Sequence, residues 1–345
     1  MTPSGCVSAA LVLVLAACAP LRQRTGPVVL HGPTMGTTWT VKLAVPAGRD
    51  AGELQQAVQE EVDRVVAQMS TYEADSDLSR YNRAPAGTCR TLPPEFFDVL
   101  AYALDLARDT GGAYDPTVGP LVDAWGFGPG SHAHAVPSDA DIDAARTRVG
   151  WQRVRLDPAT RRACQPGGTV LDLSSVAKGF GTDQVARRLE REGVTDFLVD
   201  IGGELRAHGR RPGGGDWQVG IERPGAAIGA VTATDAIVRV LALRERAIAT
   251  SGDYRHVFED GGRFYSHHID PRSGRPVEHR IASVTTVADD GMHADSIGTA
   301  LTVLGPDRGL AWARERGLAV LMILHDGERF IERTTPAFDV LLRKP

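Results

Sequence analysis

The chain has 345 residues, 42% of them hydrophobic, enough to bury a large core in one domain or two subdomains. Its formal net charge is −5 and its arginine pairs (Arg161-Arg162, Arg187-Arg188, Arg210-Arg211) are scattered, so no basic stripe marks a nucleic-acid partner. There is no GxxxxGK[ST] and no strand feeding a GxGxxG, which excludes a P-loop and leaves a Rossmann dinucleotide site without support.

Residues 1–17 read as a signal peptide, because the apolar run from Val7 to Ala17 is shorter than the about 20 residues needed to span a bilayer. Leu15-Ala16-Ala17-Cys18 resembles a bacterial lipobox, which implies cleavage before Cys18 and lipidation of its thiol. An ordinary cleaved signal peptide is the alternative, and no Lys or Arg precedes the run. Residues 18–33 carry Pro20, Gly26, Pro27, Gly32 and Pro33 and read as a lipidated tether, leaving 34–345 as the folded domain. Cys89 and Cys164 then remain in an oxidising compartment, where they can pair or stay apart. No CxxC spacing supports a zinc site.

In chain order, TTWTVKLAV alternates Trp39, Val41, Leu43 and Val45, a half-buried strand. Leu54, Val58, Val62, Val65, Val66 and Met69 recur at helical spacing, so 52–69 is an amphipathic helix. A second helix starts at Pro93-Pro94 and ends at Gly111-Gly112. Residues 126–138 form a loop and 139–149 a short helix. TVLDLSS reads as a buried strand running into Ser174, an N-cap for a helix that Gly193 stops. Strand and turn follow in DFLVDIGGEL, several strands crowd 217–287, a small-residue helix covers 292–304, and AVLMIL (319–324) is a last buried strand. Strands and helices mix without a βαβ repeat, which predicts an α+β fold with mixed, largely antiparallel sheets packed with helices.

Three stretches carry chemistry. In LDLSSVAKGFGTD, Lys178 stands one turn into a helix, where the dipole does not favour a cation, and Gly179 and Gly181 each cost about 1 kcal/mol relative to Ala. That combination predicts close approach of an anionic ligand to the helix start, against a loosely packed helix start as the alternative. In GMHADSIGTAL, Asp295 and Thr299 share one helical face, and a carboxylate and a hydroxyl so spaced can hold a hard cation such as Mg²⁺. In FYSHHIDPRSGRPVE, adjacent His267 and His268 precede a turn. Strand alternation would send the two imidazoles to opposite faces, so at most one serves a site.

The ordered motifs resemble the ApbE family, the FAD:protein FMN transferases. They run from MGTTW at Met35 through MSTYEADSDLSRYN, GGAYDPTVGPLVDAWGFG, LDLSSVAKGFGTD, LVDIGGEL, WQVGIERP, IATSGDYR and YSHHIDPRSGRPV to ADSIGTAL, nearly all of residues 35–305. The resemblance implies a T-fold-related core and Mg²⁺-dependent transfer of FMN from FAD to a Thr or Ser hydroxyl of an acceptor protein, with release of AMP. Carried over by position, Met35, Tyr72, Ala113, Tyr114, Asp115, Asp172, Lys178 and Ile269 would line the FAD site. Asp295, Thr299 and the Ser175 carbonyl would hold Mg²⁺, and His267 would be the base. His268 stands where an apolar residue is usual. Water as acceptor would make the chain an FAD pyrophosphatase, and loss of chemistry would make it an exported FAD carrier. The resemblance also implies a periplasmic, lipid-anchored location and acceptor subunits of membrane redox complexes as partners.

Overall fold

The computed structural model describes residues 27–129, 135–225, 236–253, 257–327 and 329–342. The signal peptide, Cys18, the tether up to residue 26 and residues 130–134 of the predicted 126–138 loop lie outside the described residues.

Eight strands form the main sheet: β1 (Val28–Thr34), β2 (Thr37–Leu43), β3 (Phe197–Ile201), β4 (Glu204–His208), β5 (Arg246–Gly252), β6 (Ile281–Ala288), β7 (Ala319–Asp326) and β8 (Arg329–Thr334). They lie side by side in chain order, each antiparallel to the next. The α+β expectation therefore holds. The tether expectation is corrected from residue 28 onward: Val28 to Pro33 pair with β2, Val28 opposite Leu43. Leu30 gives β1 a buried face, and Pro33 is tolerated because β1 is an edge strand. The hairpin turns through Met35 (φ 47°) and Gly36 (φ 69°), the two positive-φ centres that match the twist of antiparallel strands.

One face of the sheet carries helices. α1 (Ala51–Met69) starts at Asp50, whose Oδ1 accepts the N–H groups of Gly52 and Glu53 at 2.8 and 3.1 Å. Of the predicted stripe it buries Leu54, Val58, Val62, Val65 and Met69 and leaves Val66 half-buried. With α3 (Ser174–Arg191) it closes over Leu30, Trp39, Val41, Leu43, Phe197 and Val199. α4 (Gly291–Leu304) and α5 (Pro306–Glu315) cover β6 and β7 through Ile297, Leu301, Leu310, Val284, Val320 and Met322. The opposite face is sealed by the hairpin Trp217–Glu222/Ile237–Leu243 and the helix Pro336–Leu342. Burial on both faces explains why β6 and the start of β7 read as nearly unbroken apolar or hydroxyl runs.

Two further insertions into this meander, between β2 and β3 and between β5 and β6, meet beyond the sheet. Residues 44–196, between β2 and β3, carry α1, α2 (Pro94–Asp109), α3 and a small three-stranded sheet. In that small sheet Cys89 stands opposite Cys164 and the two form a disulfide. Residues 253–280, between β5 and β6, carry the hairpin Val257–Asp260/Arg263–Ser266 and the short ladder Ile269–Asp270/Arg275–Pro276. The insertions meet where Trp125 packs on Tyr265 and donates its indole N–H to the Gly274 carbonyl at 2.8 Å.

Candidate active site

The approach to α3 is extended but is not a strand. Its one ladder contact is an isolated bridge between Val118 and Val170. Leu171 is held instead by a side chain: Asn82 Oδ1 accepts its N–H at 2.8 Å and Asn82 Nδ2 donates to its carbonyl at 2.9 Å. Leu171 and Leu173 are fully buried, which accounts for the apolar sequence signal. Ser174 is the first helical residue rather than the cap, and Asp172 Oδ1 accepts its N–H at 2.8 Å.

The two glycines of α3 face protein. A Cβ on Gly179 would lie 2.6 Å from the Gly291 carbonyl carbon and 2.7 Å from Asp295 Cβ. A Cβ on Gly181 would lie 3.2 Å from Ile201 Cδ1 and 3.3 Å from Met35 Cε. Gly179 therefore lets α3 and α4 cross backbone to backbone. The predicted approach of an anion to these glycines is corrected: close helix packing, not ligand access, is what a side chain there would obstruct.

The crossing gathers charge. Gly179 donates its N–H to Asp295 Oδ2 at 2.9 Å. In a helix that N–H points toward the carbonyl four residues back, here Ser175, so the Asp295 carboxylate lies beside the Ser175 carbonyl. Burial raises the Asp295 pKa, offset in part by the charge of Lys178 and by the Gly179 N–H. Lys178 Nζ donates to Glu204 Oε1 at 2.6 Å, and Glu204, the first residue of β4, is buried. Thr299 lies one turn beyond Asp295 on the same face of α4 and is half-buried. Ser296 and Thr302 spend their hydroxyls on carbonyls of the preceding turn. Among the described residues, Thr299 Oγ1 and Asp295 Oδ1 have no such hydrogen bond. Tyr114 is buried below, its hydroxyl 3.2 Å from Ser175 Oγ. Its pKa is raised by burial, with Asp295 and Asp172 adding to the effect.

Tyr72 and His267 both lie beside Phe127. Tyr72 is 68% exposed and donates its hydroxyl to the Phe127 carbonyl at 3.4 Å. Partial burial raises its pKa, and the charges of Asp172 and Asp123 add to that, which puts Tyr72 on the Asp172 side of the site. The His267 ring lies 6.3 Å from the Phe127 ring. The strand-parity argument for the two histidines is corrected: the strand ends at Ser266, and their rings lie only 4.0 Å apart. His268 is buried, with Nδ1 3.2 Å from Ser266 Oγ, whereas His267 is half-exposed.

The remaining predicted residues shape the loops behind the site. Asp115 Oδ1 accepts from the backbone and hydroxyl of Thr117 at 2.8 and 2.7 Å, and Oδ2 from Trp151 N–H at 3.2 Å. It lines a cavity of about 550 Å³ with Gly111, Gly112, Trp151 and Arg272. Ala113 is buried against the α4 core, and Ile269 packs with Trp125 and Phe258, so neither side chain is open to a ligand. Met35 packs between the α2 and α1 cores. Sequence reasoning missed Glu204 and Asp183. The only signal was a carboxylate following Gly202-Gly203 in one case and closing the FGTD run in the other.

The ApbE family profile matches residues 35–322. The chain belongs to the ApbE family. It is 38% identical to the FAD:protein FMN transferase of Haemophilus influenzae, over 98% of this chain and 97% of that one. Among solved ApbE structures, the apo flavinyl transferase of Pseudomonas stutzeri superposes with a TM-score of 0.83 at 39% identity, covering 92% of this chain and 98% of that one. The flavin transferase ApbE of Vibrio cholerae gives 0.83 at 37% identity, covering 92% and 99%.

Proposed function

We propose that this ApbE-family chain is an FAD:protein FMN transferase, moving FMN from FAD to a Thr or Ser hydroxyl of an acceptor protein and releasing AMP. The observation that carries the reading is the convergence of Lys178, Asp295 and the start of α3 at one helix crossing. It occurs in a chain 38% identical, nearly end to end, to a named transferase.

The residues fit a divalent cation. Among the described residues no three His, Cys, Asp or Glu side chains gather as a metal cluster, so the donors would be mixed: Asp295, Thr299 and the Ser175 carbonyl. An oxygen-only set suits Mg²⁺, and a buried carboxylate with one oxygen unspent is the donor such an ion favours. When bound, Mg²⁺ would neutralise charge on the FAD pyrophosphate.

Lys178 would leave part of its bond to Glu204 for the phosphates and hold the departing AMP. His267 would take the proton of the acceptor hydroxyl as its oxygen attacks the FMN phosphorus. The P–O bond to AMP then breaks, and its electron pair leaves on the AMP phosphate. The flavin ring is cargo, and Tyr72 offers it an exposed aromatic face. Export, a lipid on Cys18 and acceptor subunits of membrane redox complexes complete the proposal. The sequence pattern of residues 1–18 supports the export and the lipid, and the family resemblance alone suggests the redox partners.

The test is to incubate the full chain with FAD, Mg²⁺ and an acceptor domain carrying a Ser/Thr-Gly-Ala-Ser/Thr segment, then weigh the acceptor by intact-mass spectrometry. One added FMN is expected. AMP release with no adduct would make the chain a pyrophosphatase, and the absence of both AMP and adduct would overturn the reading.

A further inference from the structure

We propose that Asp183 is a positioning residue for the divalent-cation site, acting through its grip on the first turn of α4. The inference rests on the reading of Asp295 and Thr299 as cation donors. Asp183 lies on α3, one turn beyond Gly179, and is 5% exposed. Its Oδ1 accepts the Gly291 N–H at 2.7 Å and its Oδ2 accepts the Met292 N–H at 2.9 Å. Asp290 accepts the next N–H, that of His293, at 2.9 Å. Those are three of the N–H groups that the start of a helix leaves without intrahelical partners.

The bonds across the seam run both ways. Asp295 reaches from α4 to the backbone of α3, and Asp183 reaches from α3 to the backbone of α4. Between them the helices touch at Gly179 and Gly291, with the Thr182 hydroxyl and the Asp295 Cβ the side-chain atoms nearest the contact. A glycine-to-glycine crossing has few side-chain ridges to fix its slide or roll. Two carboxylate oxygens on two consecutive N–H groups fix both motions. Asp295 and Thr299 ride on the same rigid helix, so the register that Asp183 sets decides where both donors point.

An Asn cannot substitute, because one end of its amide is itself a donor facing an N–H. Partners that orient metal ligands cost 10–100-fold in metal affinity when removed. The experiment is thermal melting of the full chain titrated with MgCl₂, with FAD affinity measured separately by flavin fluorescence in EDTA. For Asp183→Asn, the Mg²⁺ concentration giving half the maximal rise in melting temperature should increase about tenfold or more. FAD affinity without metal should change less than about twofold, since both Asp183 carboxylate oxygens are spent on the backbone of α4. Trp217→Phe, on the far side of the sheet, should lower the melting temperature without moving the Mg²⁺ midpoint.

If Asp183→Asn gives no cooperative melt, Asp183→Glu serves, with a smaller rise expected. An unchanged Mg²⁺ midpoint in a folded Asp183 variant overturns the proposal while leaving the cation site standing. A wild-type melt that ignores Mg²⁺ removes the cation site and the proposal together.

Discussion

Gly179→Ala separates the two explanations for glycine in α3. The new Cβ would sit 2.6 Å from the Gly291 carbonyl carbon, closer still to its oxygen, and 2.7 Å from Asp295 Cβ, where ordinary contact is 3.4–4 Å. The Gly291 obstacle is backbone, so α4 must shift by about 1 Å rather than a side chain swing aside. Overpacking costs about 1–3 kcal/mol, and an unyielding neighbour places this site at the upper end. Replacing a helical Gly returns about 1 kcal/mol. The net loss is then about 2 kcal/mol. With an unfolding entropy of about 2.1 cal/mol/K per residue, a domain of this size should melt about 3 °C lower. The shift also moves Asp295, so the Mg²⁺ midpoint should rise. Gly181→Ala meets only the flexible ends of Ile201 and Met35 and should melt at or slightly above the wild-type temperature. Differential scanning fluorimetry reads both. If Gly179→Ala melts like wild type and only FAD binding weakens, the packing argument is wrong and the glycine serves the ligand.

His267→Ala should keep FAD affinity and lose FMN transfer; normal transfer by mass spectrometry would remove His267 as the base. Replacing Cys89 and Cys164 by Ala should cost about 4 kcal/mol by chain entropy for a loop closed over 75 residues, measured by urea unfolding. Asp183 has its pKa raised by burial to about 6, above its ordinary range, with its two backbone hydrogen bonds opposing the shift. A carboxyl raised in the folded state stabilises below its unfolded pKa, and that contribution is lost as pH rises through about 6. Between pH 4 and 7 wild-type stability should therefore fall by about 2 kcal/mol relative to Asp183→Asn. Parallel pH–stability curves would show that Asp183 is not the titrating group.

The periodic elements were legible in the sequence. α1 matches its apolar stripe and α4 its small-residue run, because local burial follows spacing. The order of the sheet was not legible, since β2 and β3 pair across an insertion that no local pattern announces. TVLDLSS misled because Leu171 and Leu173 are buried like strand residues while Asn82 supplies the hydrogen bonds of a missing neighbour. Gly179 was noticed for the right reason, its cost in a helix, and assigned to the wrong partner. The candidate site residues Lys178, Asp295 and Thr299 stood out by type. Glu204 and Asp183 did not, because a buried carboxylate bonded to an ammonium or to a helix end looks in sequence like any surface acid.

The long insertion has a consequence for how the chain reaches its native state. Joining β2 to β3 closes a loop of roughly 150 residues, and such closures are slow and entropically costly. The Cys89–Cys164 bond lies wholly inside that loop and short-circuits 75 residues of it. Halving the effective path lowers the closure cost by about 0.6 kcal/mol. Oxidation before the edge hairpin docks should therefore speed assembly of the sheet, and a reducing compartment should slow it.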